Sequence, residues 1–203
     1  MSAGDIRDHR DNGDEKALDR LVAFGDAVVA IAITLVVLPI VDRAMDVPSA
    51  ADFLSESLDS LISAALSFVV IAVLWRAHHR MMAYATGYTA AVLRLDLLWL
   101  AAVVVLPVAT VLDIVGTGND RLALAIYVGT ILVAGVVVRL QETLLERAGL
   151  LDTGPVDPVA RWLGAILLAV ILILVIAVPQ PGALWLLLLP LESVILRILG
   201  RRR

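Results

Sequence analysis

Asp26, Asp96 and Glu192 are carboxylates set in otherwise apolar stretches, and Trp75-Arg76-Ala77-His78-His79-Arg80 gathers imidazoles and guanidiniums at the end of another. Such groups have three uses in this setting: a proton relay or gate, a metal site, or a polar clamp that ties helices together. Metal ligation fits poorly. Adjacent His78 and His79 diverge by about 100° on a helix, unlike an i, i+4 pair that faces one ion. Hydrolytic chemistry has no support either, since the chain holds no G-x-S-x-G, no H-E-x-x-H and no phosphate loop. With no cysteine there is no thiolate ligand, no Cys nucleophile and no disulfide framework. The chain is therefore not expected to be an enzyme, nor to carry a cofactor or a metal, and no nucleic-acid partner is expected.

The elements that position these groups follow from composition. Of 203 residues, 61% are apolar and 18% charged, against about 45–50% and about 25% in soluble domains. The mean hydropathy is +0.94. These values exclude a water-soluble enzyme and imply an all-α integral membrane protein. Six apolar stretches stand out, roughly 21–41, 58–75, 95–112, 122–138, 162–178 and 183–199. Runs of about 17 residues reach about 26 Å as helices, enough for a thin hydrocarbon core. None shows the strict alternation of a transmembrane strand. The first is not expected to be a cleaved signal, because it follows twenty mostly polar residues and no A-x-A site comes after it. Residues 1–19 are expected to form a disordered cytoplasmic arm, 20–199 the six-helix domain and 200–203 a basic cytoplasmic tail.

Lys and Arg set the direction. With six spans, fourteen of the sixteen basic residues fall on the side of the two termini, and only Arg43 and Arg121 on the other. The positive-inside rule then places both termini in the cytoplasm of a multi-pass protein of the cell membrane. It also brings Arg20, Asp26, Trp75, His78 and Asp96 to one depth, near the cytoplasmic ends. Burying an ionisable group costs about 2.5–3.5 kcal/mol on insertion scales, so mutual satisfaction in a clamp joining the first three helices is the favoured reading. Glu192, two residues after Pro190, is expected to pair with Arg197 or to line a cavity.

The first helix has two faces. Ile31, Leu35 and Leu38 stand at i, i+4 and i+7 and form an apolar stripe with Thr34 on its shoulder. Asp26 points about 140° away from Ile31, toward the clamp. Thr86-Gly87-Tyr88 echoes a potassium-filter sequence, but it lacks the second glycine and falls in a loop between spans.

At this point a family resemblance enters. Arg20-x-x-x-Phe24-Gly25-Asp26-x-x-x-Ala30-Ile31-x-x-Thr34-Leu35-x-x-Leu38 resembles the R-x-x-x-F-S-D signature of the transmembrane protein 175 potassium channels of endolysosomes and prokaryotes. Trp75-x-x-His78 is similar to that family's second-helix ending, and Asp96 followed by Leu106-Pro107-x-x-Thr110 is similar to its third helix. Two positions depart from the pattern, Gly25 for Ser and Asp96 for Asn. The resemblance brings Phe24 into the polar cluster, which then comprises Arg20, Phe24, Asp26, Trp75, His78 and Asp96. It further implies a homotetramer around a central pore lined by the first helices, with Ile31, Leu35 and Leu38 as hydrophobic rings and Thr34 as a ring of hydroxyls. Potassium and other monovalent cations would be the permeant species, and membrane lipid the surroundings. A proton-coupled secondary transporter using Asp26, Asp96 and Glu192 is the alternative; the absence of internal repeats and of paired broken helices counts against it.

Overall fold

The computed structural model describes residues 3–115, 121–152 and 158–177. The sixth apolar stretch, with Pro190, Glu192, Arg197 and the basic tail, lies outside them. The described residues form six helices: α1 (Ala3–Leu35), α2 (Leu38–Met45), α3 (Ala50–Ala83), α4 (Ala90–Val115), α5 (Arg121–Arg147) and α6 (Pro158–Ala177). Four segments are long and apolar enough to cross a membrane: Lys16–Met45, Ala50–Ala83, Ala90–Leu112 and Arg121–Arg147. They correspond to the first four predicted spans. The fifth predicted span falls in α6, whose apolar part is the shorter Trp162–Leu174.

The first span differs from its prediction in two respects. Helix α1 starts at Ala3, so residues 3–19 of the arm expected to be disordered are helical; adding turns to a helix already nucleated is far cheaper than starting one. The span is also broken after Leu35. Pro39 has no N–H, and its ring meets the carbonyl four residues back, that of Leu35. The chain crosses the gap in a tight turn, with Val37 N–H donating to the Thr34 carbonyl, and resumes as α2 with Pro39 in its first turn. Leu38, expected on the same helix as Ile31 and Leu35, therefore belongs to α2.

Packing follows the sequence pattern. On α1 and the turn that follows it, Leu18, Gly25, Val29, Ala32 and Val36 are buried at spacings of three, four and seven, a continuous seam facing the bundle. Helix α4 packs against α1, α3 and α5, with Trp99, Val103 and Leu106 fully buried; α5 also contacts α6, and α2 lies on α3. Between α3, α4 and α5 a chain of hydroxyls crosses the core. Tyr127 Oη lies 3.1 Å from Ser67 Oγ, Ser67 Oγ lies 2.8 Å from Thr110 Oγ1, and Thr110 Oγ1 lies 2.8 Å from the Leu106 carbonyl. The Thr110 hydroxyl carries one proton, which it gives to Ser67 or to the Leu106 carbonyl.

Two loops are stitched together at one end. Ala85 and Leu151 form an isolated antiparallel bridge, in which Thr86 N–H donates to Leu150 O and Asp152 N–H donates to Tyr84 O. Helix α5 stops just before it in a Schellman cap, with Leu150 N–H on Leu145 O and Gly149 at φ +67°. Tyr84-Ala85-Thr86 thus serves as a clasp between the α3–α4 and α5–α6 connections, and Thr86-Gly87-Tyr88 begins within it.

A polar end and an unpartnered stripe as the candidate functional site

Near the clasp, each of the two carboxylates meets its own histidine. Asp26 of α1 accepts a 2.7 Å hydrogen bond from the Trp75 indole Nε1, and its other oxygen lies 3.7 Å from His79 Nδ1. The second distance is beyond a hydrogen bond. This pair is wet, with the side chains of His79 and Asp26 45% and 40% exposed. Trp75 and His79 also pack ring to ring, centroids 5.1 Å apart.

The second pair is dry. His78 Nε2 lies 2.6 Å from Asp96 Oδ1, with side-chain exposures of 7% and 1%. Gln141 Nε2 of α5 donates to the same oxygen at 3.2 Å, and the His78 ring stacks on Trp99 at 3.9 Å. One carboxylate thereby joins α3, α4 and α5, and burial without those donors would cost several kcal/mol. The divergence of adjacent histidines on a helix is what sends His78 to Asp96 and His79 to Asp26.

Four of the six residues expected in the polar cluster come together here: Asp26, Trp75, His78 and Asp96. Two do not. Arg20 is exposed and makes no ion pair among the described residues, and Phe24 is 55% exposed. Two positions on a helix separate Phe24 from Asp26 by about 160°, so when Asp26 turns to α3, Phe24 must turn away. No guanidinium reaches either carboxylate among the described residues; indole, imidazole and amide donors take that role. Gln141 and Trp99 are additional members outside the expected cluster. Gln141 carries little signal, because a glutamine near the end of an apolar run reads as a helix boundary.

Gly25, where the motif carries serine, faces α4: a Cβ there would stand 3.9 Å from Leu100 Cδ2. The position lies in the α1–α4 seam, and no polar group of the two pairs depends on it.

The remaining expected residues lie on the other face of α1 and its continuation. Arg20, Phe24, Ala27, Ile31, Thr34 and Leu38 are exposed at alternating spacings of four and three, with Leu35 beside them. Ile31 is 60% exposed, and among the described residues no other element covers this line. The Thr34 hydroxyl donates to the Ile31 carbonyl at 2.8 Å, which leaves its oxygen lone pairs outward. The seam and the stripe run on opposite sides of one helix with the same 3.5-residue period.

Long apolar helices, hydrogen-bonded to each other through buried polar groups and lacking strands beyond the small clasp among the described residues, define a polytopic helical membrane protein. Comparison with known proteins is more specific. The family model described as endosomal/lysosomal potassium channel TMEM175 matches residues 20–107. A potassium channel of Streptomyces collinus is 32% identical over 147 residues, covering 70% of this chain and 71% of that protein. The chain belongs to the TMEM175 potassium channel family. It is a multi-pass membrane protein of a channel family, not an enzyme. The matched region ends at Pro107, so Gln141 lies beyond it.

Proposed function

We propose that the chain is a potassium-preferring cation channel of the cell membrane, a homotetramer whose pore is lined by the outward stripe of α1 and by Leu38 of α2. The observation that carries this is the stripe itself. An apolar line on the first span is left uncovered by the described residues, while the opposite face is packed without interruption from Leu18 to Val36. Membership of a potassium channel family supplies the cargo. Four copies meeting at an axis would present Ile31, Leu35 and Leu38 as rings that gate by dewetting, with Thr34 hydroxyls between them. A constriction of this kind makes a cation shed water, and potassium does so more cheaply than sodium. Both termini would lie in the cytoplasm, as the basic residues direct, with the Trp75–Asp26 hydrogen bond holding the cytoplasmic end of the pore helix to a scaffold fixed by Asp96, His78 and Gln141. The last apolar stretch would complete six spans, and membrane lipid would cover the outer faces. Planar-bilayer recording of purified protein tests the reading. Ile31→Asn and Leu35→Asn are expected to raise leak or alter the potassium-to-sodium preference, and unchanged currents in both variants would contradict the assigned face.

A further inference from the structure

Two hydrogen bonds from one helix hold the two pieces of the first span. Trp75 of α3 donates to Asp26 on α1. Fifteen residues earlier on α3, about 22 Å along its axis, Ser60 Oγ accepts a 2.9 Å hydrogen bond from Arg43 Nη1 on α2.

The break in the span is what makes the second attachment matter. Helix α2 has eight residues, too few to be stable without tertiary support. It lies on α3, burying Ile40 and leaving Leu38 and Val41 about half exposed. Arg43 stands among the carboxylates Asp42, Asp46, Asp52, Glu56 and Asp59, all exposed, yet pairs with none of them among the described residues. Its guanidinium instead reaches Ser60, only 7% exposed, in the seam between the two helices. A solvent-facing ion pair would hold α2 weakly; a charge-assisted bond into the seam fixes its rotation on α3.

We propose that Arg43 is a positioning residue for conduction: through Ser60 it sets the placement of α2, and with it the Leu38 side chain at the pore. The inference rests on the pore reading above. On that basis the Leu38 ring is held by α3, separately from the Ile31 and Leu35 rings, which are held by the α1 seam. The two constrictions are then mechanically distinct although their residues follow one sequence period.

Single-channel recording of the full chain in planar bilayers tests this, with Arg43→Ala, Ser60→Ala, the double variant, and Ile31→Asn as a pore control. Ser60→Ala preserves a small helical residue and the fold. Each single substitution is expected to shorten dwell time at the main conductance level by about three- to tenfold, the range one net hydrogen bond commands. The double variant should be no worse than the more affected single, because both remove the same bond. Arg43→Lys, which retains a charged donor, should recover part of the dwell time. An effect of Arg43→Ala without one of Ser60→Ala would make Arg43 merely a charge at the mouth and overturn the latch. Silence of both, with altered currents in Ile31→Asn, would overturn the latch and leave the pore reading standing. Silence of all three would remove the pore reading and the latch with it.

Discussion

Asp26 and Asp96 meet the same difficulty, a carboxylate in an apolar helix, by opposite routes. Asp96 is almost wholly buried and takes donors from two other helices on one oxygen, His78 and Gln141. Asp26 keeps two-fifths of its side chain exposed and takes a single indole hydrogen bond, with His79 nearby but beyond bonding distance. The difference separates two jobs. A buried acceptor shared by α3, α4 and α5 fixes the scaffold. A half-wet acceptor on α1 attaches the first span to that scaffold without locking it rigidly, which suits the element that carries the uncovered stripe.

That contrast can be broken by measurement. The largest effect is expected from Asp96→Ala, which leaves the His78 and Gln141 donors facing apolar surroundings; removing one member of a buried pair costs about 3–5 kcal/mol. Thermal unfolding in detergent should show a marked fall in midpoint or a failure to express. Trp75→Phe removes the indole donor to Asp26 but leaves an aromatic ring in place. Water replaces the lost bond, so the cost should be about 1 kcal/mol, in line with hydrogen bonds between membrane helices. Equal losses in the two variants would erase the distinction between a dry and a wet carboxylate. The smallest effect, and of opposite sign, is expected from Gly25→Ala. Its Cβ fits 3.9 Å from Leu100, and alanine in place of glycine within a helix gains about 0.5–1 kcal/mol. A loss of stability there would mean that the α1–α4 seam is tighter than the structure shows.

Much of this arrangement was legible in the sequence for physical reasons. Hydropathy located the four long spans, because lipid-compatible helices need long apolar runs. The divergence of His78 from His79 followed from helix geometry alone. The stripe of Ile31, Thr34 and Leu35 was readable from its period, and the described residues leave it exposed. Other features were hidden. Arg20 and Phe24 lie within two turns of Asp26 along α1, but position along a helix does not determine azimuth, and both point away from the carboxylates. Gln141 lies 45 residues from its partner, with no motif to mark it. The division of the first span was readable in principle: Pro39 forbids the bond to Leu35, yet an unbroken apolar run around it masks the consequence.

Because the chain contains no cysteine, a single introduced thiol reports on one position alone. The most direct test is therefore Ile31→Cys, recorded in planar bilayers before and after a water-soluble methanethiosulfonate cation. If the uncovered face of α1 lines the conduction path, the reagent reaches the thiol through water and blocks the current, while the cysteine-free parent is unaffected. A thiol at position 31 that leaves current unchanged after prolonged exposure, although mass spectrometry of the unfolded protein shows it remains reactive, would place that face against lipid and contradict the account.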